Sequence, residues 1–192
     1  MLCETPSHRH VLHWFPTKKA FVLLEFSTVI HECAPIIVVE NMLRNQLMEL
    51  TSFFDSYRVM RRRTTFEIRV EVDVVCTRGK KYVLGVYIPP DFPNSCPSMV
   101  VIAPNGILKR KDHSLLGFAN RQDHVLRSKG GYTRISHFPA NNWVGNETLL
   151  QVIRKGLVWL EAYEMHLQEG YSIGCFLQLV ATVFHDETTP EL

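Results

Sequence analysis

The sequence lacks closely spaced cysteines, a strong net charge and an uninterrupted hydrophobic run. Its five cysteines form no C-x-x-C pair, which argues against a zinc knuckle and predicts a reducing, cytoplasmic setting. The formal net charge of +2 predicts no general attraction to nucleic acid or to a membrane. The apolar segment 21–39 is interrupted by Glu25, Glu32 and Pro35, so we expect no spanning helix there. No signal peptide is recognisable.

Two local charge patterns have ordinary interpretations. The basic runs at 61–63 and 109–111 are interpreted as solvated surface, with docking of a partner as the alternative. His8, His10 and His13 form an H-x-H-x-x-H cluster, but no carboxylate or cysteine surrounds it. We therefore interpret the cluster as part of a mobile tail rather than a metal site, and we expect no metal or organic cofactor.

The composition and length predict one globular domain with an extension. The chain has 192 residues, of which 46% are hydrophobic and 21% are charged, as in an ordinary globular protein. Residues 1–38 do not form a compact pattern and are predicted to be an N-terminal extension. Residues 39–192 are predicted to form the main domain.

Apolar periodicity predicts a helix followed by antiparallel strands. Apolar residues recur at helical spacing from Glu40 to Phe54. From Phe66 to Val74, apolar and charged residues alternate, which is typical of a strand with one wet face. The sequence predicts an antiparallel meander of four strands, at residues 57–61, 66–74, 82–88 and 98–103.

The second half of the chain is predicted to be a long loop followed by helices. Residues 105–128 are polar and show no periodicity, and a loop of that length is usually functional. A helix is predicted from Glu147 to Gln168, with Asn146 as its N-cap and Gly170 as its stop. The apolar segment 173–184 predicts a last helix, so the expected class is α+β.

Two passages of the chain contain specific motifs. YVLGVYIPPDFPNSCPSMVVIAP covers residues 82–104, and GGYTRISHFPANNW covers residues 130–143. Together they resemble the ubiquitin-conjugating enzymes, in which a strand–proline turn–strand passage leads to G-x-I-C-L and then to W-x-P-x-x-T-[LI]. Ser136 stands in the place of the family's nucleophilic cysteine. Trp143 follows it by seven residues, and Thr148 follows Trp143 by five.

The similarity extends to bacterial members of this superfamily. WLEAYEMHLQEG, at residues 159–170, resembles the end of the corresponding helix in bacterial ubiquitin-like conjugation systems. The resemblance covers roughly residues 40–185. It implies a UBC-like fold with an N-terminal helix, a four-stranded antiparallel meander, a long active-site loop and C-terminal helices.

The resemblance also implies an activity and partners. Such a protein accepts a ubiquitin-like protein from a ubiquitin-activating-like enzyme, which consumes the ATP, and transfers it to an amine on a protein or another target. In this chain the acceptor would be Ser136, which would form an oxyester. The expected setting is bacterial and cytoplasmic, in antiviral defence.

The sequence departs from the family at the nucleophile and near it. The family's H-P-N tripeptide is absent, and serine is a poor nucleophile unless a base removes its proton. The candidate bases are His137, which is next to Ser136, and His124 and His113, which lie in the long loop. His137 can act only if the chain bends, because neighbours on an extended strand point to opposite faces.

Further polar residues are candidates for supporting roles. Asp112 or Asp123 would orient a loop histidine, as in a catalytic triad. Arg134 would share a strand face with Ser136 and stabilise an oxyanion or hold the incoming carboxyl terminus. Asn141 and Asn142 would supply amide donors in place of the missing asparagine.

Several alternatives remain open from the sequence. They are an inactive UBC-like binding module, an engineered Cys-to-Ser form that traps an adduct, and a small α+β interaction domain similar to the RWD group. Cys96 is interpreted as a structural or incidental thiol, because it is far in sequence from the loop. Cys175 is expected in the core, and Trp143 is expected to be a packing anchor.

Overall fold

The computed structural model describes residues 34–62, 67–138 and 142–186. The histidine cluster at His8, His10 and His13 lies outside these residues, and so does Asn141. Most of the predicted N-terminal extension also lies outside them. Its last residues, from Ala34 onward, belong to the first helix.

The fold is α+β, as predicted, with an antiparallel sheet and three helices in the described part of the chain. The strands follow the order β1-β2-β3-β4-β6-β5, and every neighbouring pair is antiparallel. The elements in chain order are α1 (Ala34–Thr51), β1 (Tyr57–Arg62), β2 (Glu67–Val75), β3 (Lys81–Ile88), β4 (Ser98–Ala103), β5 (Val125–Lys129), β6 (Tyr132–Ile135), α2 (Leu149–Glu169) and α3 (Ile173–Asp186).

The four predicted meander strands are confirmed, and two more strands extend the sheet. In β2 the alternating residues Val70, Val72 and Val74 are buried, as the period of two requires. The prediction of a loop through 105–128 was wrong at its end, because β5 begins at Val125. This strand is short and mostly polar, so alternation did not reveal it.

The turn between β5 and β6 requires glycine. Gly130 and Gly131 have φ values of 61° and 80°, a backbone region that other residues rarely adopt. The double glycine therefore forms the hairpin that brings β6 back beside β4. In this way the chain segment before Ser136 becomes an internal strand of the sheet.

Three predicted helix boundaries were wrong, and one was right. The first helix begins earlier than Glu40 and ends at Thr51. Helix α2 starts at Leu149, because Thr148 rather than Asn146 is its N-cap and forms a capping box with Gln151. The helix ends as predicted at Gly170, whose φ of 88° is left-handed. The last helix is also confirmed, but its Cys175, which was expected in the core, is exposed.

Helix α2 packs on the sheet and carries the centre of the core. Trp159 and Leu160 are fully buried, and Gly156 lies directly against Met99 and Leu84 of the sheet. Because Gly156 has no side chain, the helix axis can approach β3 and β4 closely. This places the first turns of α2 beside the ends of β4 and β6.

Within the described residues, no helix is both long enough and apolar enough to cross a membrane.

Candidate functional site

The predicted nucleophile lies at the end of an internal strand. Ile135, the last residue of β6, pairs with Met99 of β4 on one side and with Val125 of β5 on the other. The amide of Ser136 then donates a 2.8 Å hydrogen bond to the carbonyl oxygen of His124. The backbone of Ser136 is therefore held by the sheet, while its side chain is partly exposed.

An aromatic cluster joins three segments around this strand end. The ring of Trp143 lies 6.3 Å from that of Phe92 and 5.1 Å from that of Phe138. Its Nε1 donates a 2.7 Å hydrogen bond to the carbonyl oxygen of Pro93. Trp143 thus packs as the predicted anchor, between the proline turn before β4 and the segment after Ser136.

His137 faces Cys96 across the gap between β6 and the turn before β4. Its Nε2 lies 3.8 Å from the sulfur of Cys96, while its Nδ1 makes no hydrogen bond of ordinary geometry. Desolvation lowers the pKa of His137 to about 4; the Ile135 backbone opposes this shift, and the cations of Lys155 and Arg134 add to it. The imidazole is therefore neutral at physiological pH.

Cys96 was interpreted from the sequence as an incidental thiol, but it lies in this site. The residue is exposed and free. Partial desolvation of the thiol raises the pKa of Cys96, Glu147 raises it further, and the cations of Arg134 and Lys155 oppose the rise. The sequence carried no signal for this placement, because it depends on the pairing of β4 with β6.

Arg134 lies on the strand that leads to Ser136 and acts electrostatically on the Cys96–His137 pair. It stands on β6 opposite Val100 of β4, and its Nε is buried without a hydrogen-bond partner. Its charge acts on the pKa of both Cys96 and His137. No hydrogen bond or ion pair joins Arg134 to Ser136, His137 or Cys96 among the described residues, so its role at an oxyanion stays a prediction.

His124 approaches Ser136 through its backbone. His124 has a positive φ of 51°, and its ring lies beside Gly174 in the first turn of α3. No hydrogen bond joins its imidazole to the Ser136 hydroxyl among the described residues. The structure thus brings the two residues together without forming a nucleophile–base pair.

Asp123 is occupied by structural contacts rather than by a histidine. Its carboxylate is buried and accepts hydrogen bonds from Arg110 (2.9 Å), Asn120 (3.1 Å) and the backbone amide of Ile173 (3.3 Å). These contacts tie the loop to the start of α3. The predicted orienting role of Asp123 has no counterpart in this geometry.

His113 lies at the other end of α2. It occupies a turn with a φ of 66° and is exposed. In the same turn, Lys111 donates from its amide to His166 near the end of α2. The site near Ser136 lies instead beside Lys155 of the same helix. Along α2, Lys155 is about 16 Å from His166, at a rise of about 1.5 Å per residue. The structure therefore does not bring His113 to Ser136.

Two remaining polar candidates, Asp112 and Asn142, make no hydrogen bond to Ser136 or to a candidate base among the described residues. Asp112 accepts hydrogen bonds from the amide and hydroxyl of Ser114, at 2.9 and 2.7 Å, so it closes a turn and orients no histidine. Asn142 is exposed and makes no hydrogen bond within the described residues. No group of three or more His, Cys, Asp or Glu in that part of the chain is arranged to hold a metal ion.

Comparisons with protein-family models, curated proteins and solved structures found no match to this chain. The functional argument therefore depends on the residues that meet at the end of β6.

Proposed function

We propose that this chain is a UBC-like conjugating protein. It accepts the carboxyl terminus of a ubiquitin-like protein from an activating enzyme at the end of β6 and passes it to an amine. The observation that carries this proposal is the meeting of three separate motif segments. The proline turn at Pro93, the strand end at Ser136 and the anchor Trp143 are joined in one aromatic cluster.

The order of the elements supports the same proposal. A helix, an antiparallel meander, a long connection and then α2 follow one another, as the resemblance implies, although the connection also contains β5 and β6. The capping box at Thr148 starts α2 at the threonine that the motif predicts. The motif residues thus coincide with the structural boundaries at which a UBC-like fold would use them.

The site also contains the chemical groups that acyl transfer needs. A hydroxyl at Ser136 and a thiol at Cys96 are potential acceptors, and His137 is a neutral imidazole. Arg134 and Lys155 supply positive charge near the pair, where it would stabilise the oxyanion formed when a thioester carbonyl is attacked.

A second candidate function is a binding module without transfer activity. One observation favours it: the Ser136 hydroxyl has no hydrogen-bonded base among the described residues. Serine in that state is a weak nucleophile at neutral pH. Such a module would hold a ubiquitin-like protein at the same strand end without forming a covalent bond.

Intact-mass analysis tests the proposal. The protein is incubated with its cognate activating enzyme, ubiquitin-like protein and ATP, and then compared with the Ser136→Ala and Ser136→Cys variants. A covalent adduct of the wild-type chain, followed by transfer to an added amine, is expected. A matched incubation without ATP is the control.

The outcomes separate the two candidate functions. An adduct that survives thiol treatment and disappears in Ser136→Ala assigns an oxyester to Ser136. An adduct that thiols release is a thioester on a cysteine. The absence of an adduct in all three forms, together with measurable non-covalent binding of the ubiquitin-like protein, would leave the binding module.

A further inference from the structure

We propose that the acceptor nucleophile of this site is Cys96 and that His137 is its general base. This inference rests on the proposed acyl-transfer function and names the residues that carry it out. It moves the reacting atom from the β6 segment to the turn before β4. Ser136 then contributes its backbone, held by His124, rather than its hydroxyl.

The geometry places a thiol and an imidazole within reach of each other at an exposed position. The Cys96 sulfur lies 3.8 Å from Nε2 of His137 and 3.6 Å from the carbonyl oxygen of Pro97. Catalytic hydrogen bonds are often this long before substrate binds. Neither the Ser136 hydroxyl nor any other described hydroxyl has a histidine partner of this kind.

A base that acts through Nε2 requires the tautomer of His137 with its proton on Nδ1. Nε2 is the nitrogen that faces the Cys96 sulfur, and Nδ1 is buried without a hydrogen-bond partner. A proton on Nδ1 leaves the Nε2 lone pair free to accept the proton of the Cys96 thiol.

Burial is the largest cause of a neutral resting state in both groups. The cations of Lys155 in α2 and Arg134 in β6 lower the pKa of both His137 and Cys96, while Glu147, before α2, raises that of Cys96. The pKa of His137 is low and that of Cys96 is raised, so thiol and imidazole are both neutral at pH 7. The proton then moves only as the sulfur attacks.

The transfer step balances without an oxidant or a cofactor. The sulfur of Cys96 attacks the thioester carbonyl carbon of the ubiquitin-like protein on the activating enzyme, while its proton passes to Nε2 of His137. The carbon–sulfur bond to the activating enzyme then breaks. His137 returns the proton to the departing thiolate, and the product is a thioester on Cys96.

A thioester on Cys96 also suits the next step of the proposed function better than an oxyester on Ser136. A thiolate leaves more readily than an alkoxide, so an amine attacks the thioester faster. The positive charges of Arg134 and Lys155, which act on the pair, would stabilise the oxyanion of each attack. The thiol therefore supplies the reactivity that the serine lacks.

The test uses a small acyl donor that needs no partner protein. The full chain is treated with the acetyl-Gly-Gly thioester of 2-mercaptoethanesulfonate between pH 5 and 9, and acylation of each cysteine is followed by peptide mass mapping. Cys175 is the internal control, because it is exposed and has no histidine partner among the described residues.

The expected result is a difference in pH profile between the two thiols. Acylation of Cys96 stays nearly flat from about pH 5 to 8, because its base is neutral throughout that range. Acylation of Cys175 rises about tenfold per pH unit, because only its thiolate reacts. If the wild-type Cys96 rate rises as steeply as the Cys175 rate, the proposal is wrong.

Variants test the base directly. In His137→Gln, acylation of Cys96 is expected to fall about 100-fold at pH 6 and to approach the wild-type rate at pH 9, with Cys175 unchanged. In Ser136→Ala, the Cys96 profile should remain. An unchanged profile in His137→Gln overturns the role of the histidine, and the circular dichroism spectrum shows whether the variant is folded.

The complete conjugation reaction then separates this inference from the proposed function. Cys96→Ser is expected to abolish the thiol-labile adduct, and Ser136→Ala to retain it. An adduct lost only in Ser136→Ala would overturn the assignment to Cys96 while leaving the conjugating function intact. A flat Cys96 profile without any ubiquitin-like adduct would contradict the conjugating function but support the Cys–His pair.

Discussion

The indole Nε1 of Trp143 donates a 2.7 Å hydrogen bond to the carbonyl oxygen of Pro93, 50 residues earlier in the chain. This bond joins the segment that enters α2 to the turn that enters β4. The rings of Phe92 and Phe138 pack on the same indole. Cys96 lies three residues after Pro93. Its position therefore depends on Trp143, which the sequence motifs identified only by its spacing from Ser136.

Replacing Trp143 should therefore loosen the site more than it unfolds the protein. Trp143→Phe retains a ring but leaves the Pro93 carbonyl without its donor, which should cost about 1 kcal/mol of unfolding free energy. Urea denaturation measures this cost, and Cys96 acylation should slow in parallel. Val144→Ala, at the exposed neighbouring position, is the control. Equal midpoints for both variants would contradict the structural role of the indole.

Gly156→Ala should destabilise the fold despite the better helix propensity of alanine. A methyl group at this position would overlap the sulfur of Met99 and lie 2.8 Å from a methyl carbon of Leu84. Overpacking of this kind costs about 1–3 kcal/mol, and thermal unfolding would measure it. The matched control is Gly117→Ala, where the nearest atom lies at an ordinary 3.5 Å. A gain in stability at Gly156 would show that α2 lies farther from the sheet.

Asp123→Asn should detach the start of α3 from the loop. The buried carboxylate pairs with Arg110 and also accepts from the Ile173 amide, so its loss leaves a partly buried cation without its partner. We expect a cost of about 3 kcal/mol and faster hydrogen exchange at the Ile173 amide. Asp112→Asn, in an exposed turn, should leave the unfolding midpoint unchanged. Slow exchange at Ile173 in Asp123→Asn would refute this role.

His137 should make stability depend on pH in the acidic range. Its pKa is about 4 in the folded protein, where desolvation lowers it, against about 6.5 when unfolded. Between these values the unfolded chain binds more protons, so stability rises with pH. The contribution is fully present above about pH 6.5 and is lost as the pH falls towards 4.

The magnitude of this effect should be about 2 kcal/mol, since the ring is only partly buried. The free energy of unfolding at pH 4.5 and pH 7.5 measures it, and His137→Gln should reduce the difference by that amount. His113→Asn, at an exposed turn position, should keep the wild-type difference. If His137→Gln keeps it as well, the imidazole is solvated in the folded state.

Much of the fold was predictable because its signals are local. The alternation in β2 depends only on residues two positions apart, and the left-handed stop at Gly170 depends only on the glycine itself. The N-cap was misplaced because Asn146 and Thr148 are both good caps. Only the side chain of Gln151, which completes the capping box, distinguishes them.

The position of the candidate site was predictable, but the pairs of side chains that meet there were not. The motif spacing marked Ser136 and Trp143, which do lie around one strand end. The three histidines named with Ser136 separate in space: His137 turns to Cys96, the ring of His124 lies beside α3, and His113 lies towards the end of α2. Proximity in a sequence does not specify the direction of a side chain after a strand ends.

The sequence by itself determined the α+β class, the meander strands and the segments that form the site, because periodicity, prolines and glycines act over a few residues. Only the tertiary structure decided that Cys96 faces His137, since these residues are 41 positions apart. Their contact follows from the register of Met99 against Ile135. That register depends on which residues of both strands face the core, and the two strands are far apart in the sequence.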